Sequence, residues 1–155
     1  MSMERARAHL EKLGLQNRIR VSDQSTATVA LAAAAFGVEE ARIAKTLSYL
    51  VDGAPVLIVA AGDARVDNRK FKGAFHTKAK MLTPEQAEEM IGHAVGGVCP
   101  FGVKEGVRVY LDESLRRFET VYPACGTANS AVELTIPELE RASEAVGWVD
   151  VGKDA

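Results

Sequence analysis

The segment Arg42–Ala60 reads RIAKTLSYLVDGAPVLIVA, and it decides the fold class. Arg42–Val51 carries the apolar, aromatic and β-branched residues of a strand. Asp52-Gly53 is a hairpin turn signal, because both residues tolerate the left-handed backbone that a two-residue turn requires. Pro55–Ala60 returns as an almost unbroken apolar run, the pattern of a strand covered on both faces. A tight turn joins antiparallel strands. An antiparallel pair in a chain that elsewhere mixes helices and strands favours an α/β or α+β domain with a mixed sheet over a doubly wound parallel one.

Outward from this hairpin the punctuation is regular. Upstream, Glu4–Leu13 reads as a helix stopped by Gly14, and Arg18–Ser22 as a short strand. Ser25 or Thr26 can cap a helix that runs through Ala30–Ala35 to Gly37. Downstream, Asp67–Phe75 is a helix, and Thr83-Pro84-Glu85-Gln86 is a capping box that opens another to about Ile91. Val107–Leu111, Thr120–Ala124 and Ala131–Leu134 read as strands, with a helical turn over Glu113–Arg117. Thr135-Ile136-Pro137-Glu138 repeats the capping box and starts a last long helix. Trp148–Val151 closes as a strand.

The 155 residues suit one domain, with no linker, repeat or low-complexity tract. Net charge is −2. A protein that grips the body of a nucleic acid is usually strongly basic. Contact with RNA should therefore involve a small part, such as an end, and no DNA partner is expected. No apolar run is long enough to span a bilayer and Met1–Leu15 does not read as a signal peptide, so the expected compartment is the cytoplasm. Cys99 and Cys125 form no CxxC and no histidine lies at metal-ligand spacing, so no zinc site and no disulfide framework are expected.

Lys45 stands out within the hairpin. Alternation puts it on one face with Ile43, Leu47 and Tyr49, all largely apolar. A buried ammonium must pair, lose its proton or open onto a ligand. A cation at a pocket floor is one reading. An inward lysine guarding an edge strand, or a lysine whose stem packs while its head reaches water, is the other. Gly92–Gly102 contains Gly96-Gly97-Val98-Cys99-Pro100. Glycines admit close ligand approach, and successive N–H groups can hold a negative oxygen. Such a cradle could stabilise an ester oxyanion, a contribution of roughly 3 kcal/mol per donor in known cases. The alternative is an ordinary turn, and the spacing fits neither a Walker loop nor a dinucleotide fingerprint.

A catalytic thiol needs a base and a lowered pKa. Cys99 has only His93 nearby in sequence and reads first as structural, as does Cys125. His9 and His76 read as surface residues, and no Ser-His-Asp arrangement is supported. Arg69, Lys70, Lys72, Lys78 and Lys80 form a basic stretch that suits phosphates or a solvated helix face. Asp63, Asp67 and Asp112 are too dispersed for a metal cluster. Gly126-Thr127-Ala128-Asn129-Ser130 is a polar bend that could hydrogen-bond a small substrate or simply turn the chain.

Taken in order, Ile43–Leu47, Val51-Asp52-Gly53, Gly62–Asp67, Gly96–Pro100 with Gly102, and Gly126–Leu134 resemble the YbaK/EbsC-type proteins. These are free-standing relatives of the editing domain inserted in bacterial prolyl-tRNA synthetase. The resemblance runs from about residue 5 to residue 152. It implies a single α/β domain with a mixed, curved β-sheet flanked by helices. It also implies hydrolysis, without metal or cofactor, of the ester that joins a mischarged amino acid to the terminal adenosine of tRNA, often the proline tRNA. Lys45 matches the family lysine beside the tRNA 3′ end. Gly96 and Gly97 begin the GxxxP loop whose backbone holds the aminoacyl carbonyl. Thr46, Val98, Cys99, Pro100, Asn129 and Ser130 fall where substrate would lie, and the implied attacking group is a water. Partners implied are the acceptor end of mischarged tRNA and prolyl-tRNA synthetase.

Gly126–Ala131 matches neither the Gly/Lys/Arg-rich segment of the Cys-tRNA branch nor the branch with a histidine near Asn129. The amino acid removed therefore stays open. Competing readings are an inactive module that docks on tRNA or the synthetase, and a hydrolase or binder of small aminoacyl esters or adenylates unrelated to tRNA.

Overall fold

A computed structural model describes residues 2–93 and 97–154. Strands β2 (Ile43–Val51) and β3 (Ala54–Ala61) pair antiparallel, with Lys45 opposite Ala60 and Tyr49 opposite Val56. Asp52 and Gly53 both take positive φ, 52° and 78°, as a type I′ turn demands. Around this hairpin, β5 (Arg108–Asp112), β6 (Thr120–Pro123), β8 (Leu134–Thr135) and β9 (Gly147–Val149) complete a six-stranded sheet in the order β8-β6-β2-β3-β5-β9. The β2/β6, β3/β5 and β5/β9 pairs are parallel, and β2/β3 and β6/β8 antiparallel. The sheet is thus mixed, and it curves into a half-barrel, as expected. Two small antiparallel ladders flank it: β1 (Ile19–Val21) with β7 (Ser130–Val132), and β4 (Ala64–Val66) with β10 (Gly152–Asp154).

Val56, Leu57, Ile58 and Val59 of β3 are all fully buried, so both faces of the sheet are covered. Leu57, Val59, Val109 and Leu111 face the main core with Ala6 and Leu10 of α1 (Ser2–Glu11) and Leu139 and Ala142 of α5 (Ile136–Ser143). Val56, Ile58 and Tyr49 face Phe71 and Phe75 of α3 (Asn68–Phe75). Ala32 and Ala33 of α2 (Val29–Phe36) pack on Ile43, Tyr122 and Ala131.

Several boundaries move for local reasons. The cap of α2 is Thr28, whose Oγ1 accepts the Leu31 N–H at 3.2 Å; Ser25 and Thr26 precede it. Both capping boxes form, at Thr83 and Thr135. The first opens α4 (Pro84–Gln86), which continues as a π-helical turn over Ala87–Ile91 until Gly92 at φ 99°. The second opens an α5 of only 8 residues, not a long helix. The expected strand Ala131–Leu134 is two, β7 and β8, because its halves pair with different strands.

Candidate active site

The β2/β6 ladder ends at Ala44, opposite Pro123. The next bridge on that edge is Tyr49 with Met81, where Leu82 N–H donates to the Ser48 carbonyl at 3.1 Å. Between them β2 borders a cavity of about 360 Å³. Ile43, Ala44, Lys45, Thr46 and Ser48 all line it. One face of a strand would supply only alternate residues, so the cavity wraps the open edge. Its remaining walls come from Thr26–Val29 and Ala32, from Met81, Leu82 and Pro84, and from Val98, Tyr122, Ala124, Ser130 and Ala131.

Lys45 is half-buried, and its Nζ donates to the carbonyls of Gly62, at 3.4 Å, and Ala64. An ammonium carries three donors, so among the described residues one is left for a ligand. Burial pulls the Lys45 pKa below its ordinary value; the charge of Asp63 works against that shift and Arg65 adds to it. Asp63 itself is gripped by Arg117 through two hydrogen bonds, of 3.0 and 2.5 Å, and these hold its carboxyl below the usual range. The turn whose carbonyls hold Lys45 is therefore pinned from its outer side.

The Gly-rich loop and the Gly126 bend meet, although nearly thirty residues separate them. Gly97 is buried, and a Cβ there would stand 2.5 Å from Thr127 N and 2.7 Å from Gly126 O. Only glycine fits such an approach. Val98 follows on the cavity wall, while Pro100 is buried outside the lining. Cys99 points into the core at 0% exposure. Its Sγ lies 3.6 Å from His93 Nε2, which donates to the Phe101 carbonyl oxygen at 2.7 Å. Burial pushes the Cys99 thiol far up, and that of Cys125 to about 11. Neither is an activated nucleophile. Gly96 lies outside the described residues.

The sequence profile of the aminoacyl-tRNA editing domain matches residues 23–142. The chain belongs to the aminoacyl-tRNA editing domain family. It is 49% identical over 155 residues, 99% of each chain, to the uncharacterized protein YwhH of Bacillus subtilis (strain 168). It is 29% identical over 117 residues to the proline–tRNA ligase of Geobacillus thermodenitrificans (strain NG80-2), a match that covers 75% of this chain and 20% of the ligase. Among solved structures, a candidate trans-editing enzyme for prolyl tRNA synthetase superposes with TM-score 0.88 at 30% identity, covering 98% of this chain and 97% of that one.

In this editing domain the cavity gathers Lys45 and Thr46 of β2, Val98 of the Gly-rich loop and Ser130 of β7, from three separate segments. Ser130 is buried and its Oγ lies 2.7 Å from Thr127 Oγ1. Asn129 is exposed and not on the lining; its Nδ2 reaches the Ser22 carbonyl at 3.4 Å and its Oδ1 accepts from Thr127. Sequence reasoning missed Thr26, Ser48, Met81 and Tyr122. The hydroxyls of Thr26 and Thr46 are buried with no hydrogen-bond partner among the described residues, a state that usually marks a ligand or water position. Thr26 carried a signal that was read as a helix cap. The others required knowing that β2 has an unpaired edge.

Proposed function

We propose that this editing domain is a trans-editing hydrolase that deacylates mischarged aminoacyl-tRNA, with the proline tRNA as the expected carrier. The observation that supports it most directly is that Lys45 and Val98 share the wall of one cavity at the unpaired edge of β2. In this reading the terminal adenosine and its amino acid enter the cavity, and the remaining Lys45 donor meets an electron-rich group of the 3′ end. Main-chain N–H groups of the Gly96–Pro100 loop hold the scissile carbonyl oxygen. A water then adds to the carbonyl carbon, the bond to the ribose oxygen breaks, and the water's proton ends on that oxygen. The products are free amino acid and uncharged tRNA.

A water suits the lining, which carries no histidine or carboxylate among the described residues, and the thiol of Cys99 is buried and held protonated. The likeness to a prolyl-tRNA synthetase trans-editing candidate supports tRNA as substrate and the synthetase as partner. Among the described residues no helix is long and apolar enough to cross a membrane, and a translation-linked role supports the cytoplasm as the proposed compartment.

The test is release of amino acid from proline tRNA charged with Ala, Cys, Ser or Thr. Wild type should deacylate at least one, and Lys45→Ala should slow it about tenfold to a hundredfold, as expected for one charge-assisted hydrogen bond of about 1.5–3 kcal/mol. Wild-type inactivity across the panel overturns the reading. Binding that survives Lys45→Ala, without turnover, would instead mark an inactive module. Equal rates on a minimal aminoacyl ester would mark a small-ester hydrolase.

A further inference from the structure

The basic stretch after Asp67 has no place in the cavity, yet it is not a scattered surface charge. No acidic residue occurs between Asp67 and Glu85, in a chain whose net charge is −2. Lys70 is tied to Asp150 at 3.2 Å and to the Gly152 carbonyl at 2.9 Å. Arg69, Lys72 and Lys78 make no ion pair among the described residues. They converge from α3 and from the segment after it on a second cavity of about 380 Å³, with Asn68 and Ala79 and no carboxylate on its lining. A merely solvated helix face would not bring cations from two elements to one concavity. The cost of their mutual repulsion falls when a polyanion fills it.

Location selects the polyanion. Residue 78 is three positions before Met81, which lines the first cavity. The chain between them is held along β2, where Leu50 N–H donates to the Lys80 carbonyl at 2.8 Å. Even a fully extended chain spans at most about 10 Å between Lys78 and Met81, so a residue of one lining lies close to a residue of the other. Met81, on the lining of the first cavity, is 56% exposed and offers an apolar surface to a base.

We propose that the Arg69/Lys72/Lys78 concavity is a phosphate-binding site for the RNA strand whose 3′ end occupies the first cavity. The inference rests on the proposed deacylase reading for the direction of the strand. A concave site whose Lys78 lies three residues from the lining of a second cavity suits a strand that enters end-on, and suits a membrane surface poorly.

The test uses an uncharged acceptor-stem minihelix ending in CCA, labelled for fluorescence anisotropy, over a salt series. Wild type should bind with an affinity that falls as salt rises. Arg69→Gln, Lys72→Gln and Lys78→Gln should each reduce the log–log salt slope by about 1, and the triple variant should weaken low-salt binding at least about tenfold. Lys70→Gln should leave the slope unchanged, and circular dichroism melts check that each variant folds. An unaltered slope in the triple variant overturns the proposal, as does wild type that ignores the minihelix or binds only phosphatidylserine vesicles. Because the probe carries no amino acid, a slope that falls as expected in a protein that hydrolyses nothing overturns the deacylase reading alone. Hydrolysis that is indifferent to the triple variant overturns the phosphate site alone.

Discussion

At Gly97 an added methyl group would stand 2.5 Å from one backbone atom and 2.6 Å from another. Backbone cannot swing aside as a side chain can, so Gly97→Ala should push the loop off the Gly126 bend. We expect a loss of about 1–3 kcal/mol in stability, read as a lower urea midpoint, with deacylation reduced at least tenfold. A variant that keeps both would show that the contact is dispensable. His93 gives a pH prediction. Burial lowers its pKa, opposed by its hydrogen bond to the Phe101 carbonyl, with Arg5 adding to the fall. Below the ordinary histidine value of about 6.5 the unfolded chain therefore binds a proton that the folded chain refuses. Stability falls as pH drops from there toward the lower folded value. The depressed carboxylates of Asp63 and Glu138 lose their contribution only at more acidic pH. Urea midpoints at pH 7.5 and 5.5 should separate by less in His93→Gln than in wild type.

Among the elements, α4 carries both fold and site. Thr83 Oγ1 accepts the Gln86 N–H at 3.1 Å, and Gln86 Oε1 accepts the Thr83 N–H at 2.9 Å. Leu82 and Pro84, on either side of the cap, line the cavity. Thr83→Ala should cost about 1 kcal/mol and raise KM more than it lowers kcat, because it loosens a wall without touching Lys45. Equal KM with a reduced kcat would argue against this role. The cap was legible because its pattern is local. The π-helical turn that follows was not: Ala87 and Ile91 are both buried, and packing against the core sets that register. The three-residue strand β4 likewise escaped notice, since it exists through its pairing with β10, almost ninety residues away.

For the whole molecule, a net charge of −2 and a local basic concavity predict recognition confined to the end of the tRNA. A mischarged acceptor-stem minihelix should be deacylated within a few-fold of the rate on full-length tRNA. A much slower rate would require contacts with the tRNA body. The half-barrel makes this economical, because β2 lies at the middle of the sheet yet exposes one edge where β6 diverges.

The antiparallel hairpin, the two capping boxes and the buried run Val56–Ala61 of β3 were determined by sequence alone, because alternation, turn chemistry and caps act over a few residues. The oddity of Lys45 and the backbone freedom of Gly96–Pro100 were visible in the same way. Tertiary structure decided what these features adjoin. The sequence does not show that the β2/β6 ladder stops at Ala44, that Gly97 lands on Gly126–Thr127, or that Asn129 turns outward while Thr26 turns in. Each depends on contacts between segments distant in the chain, and such contacts follow from how the core packs rather than from any local preference.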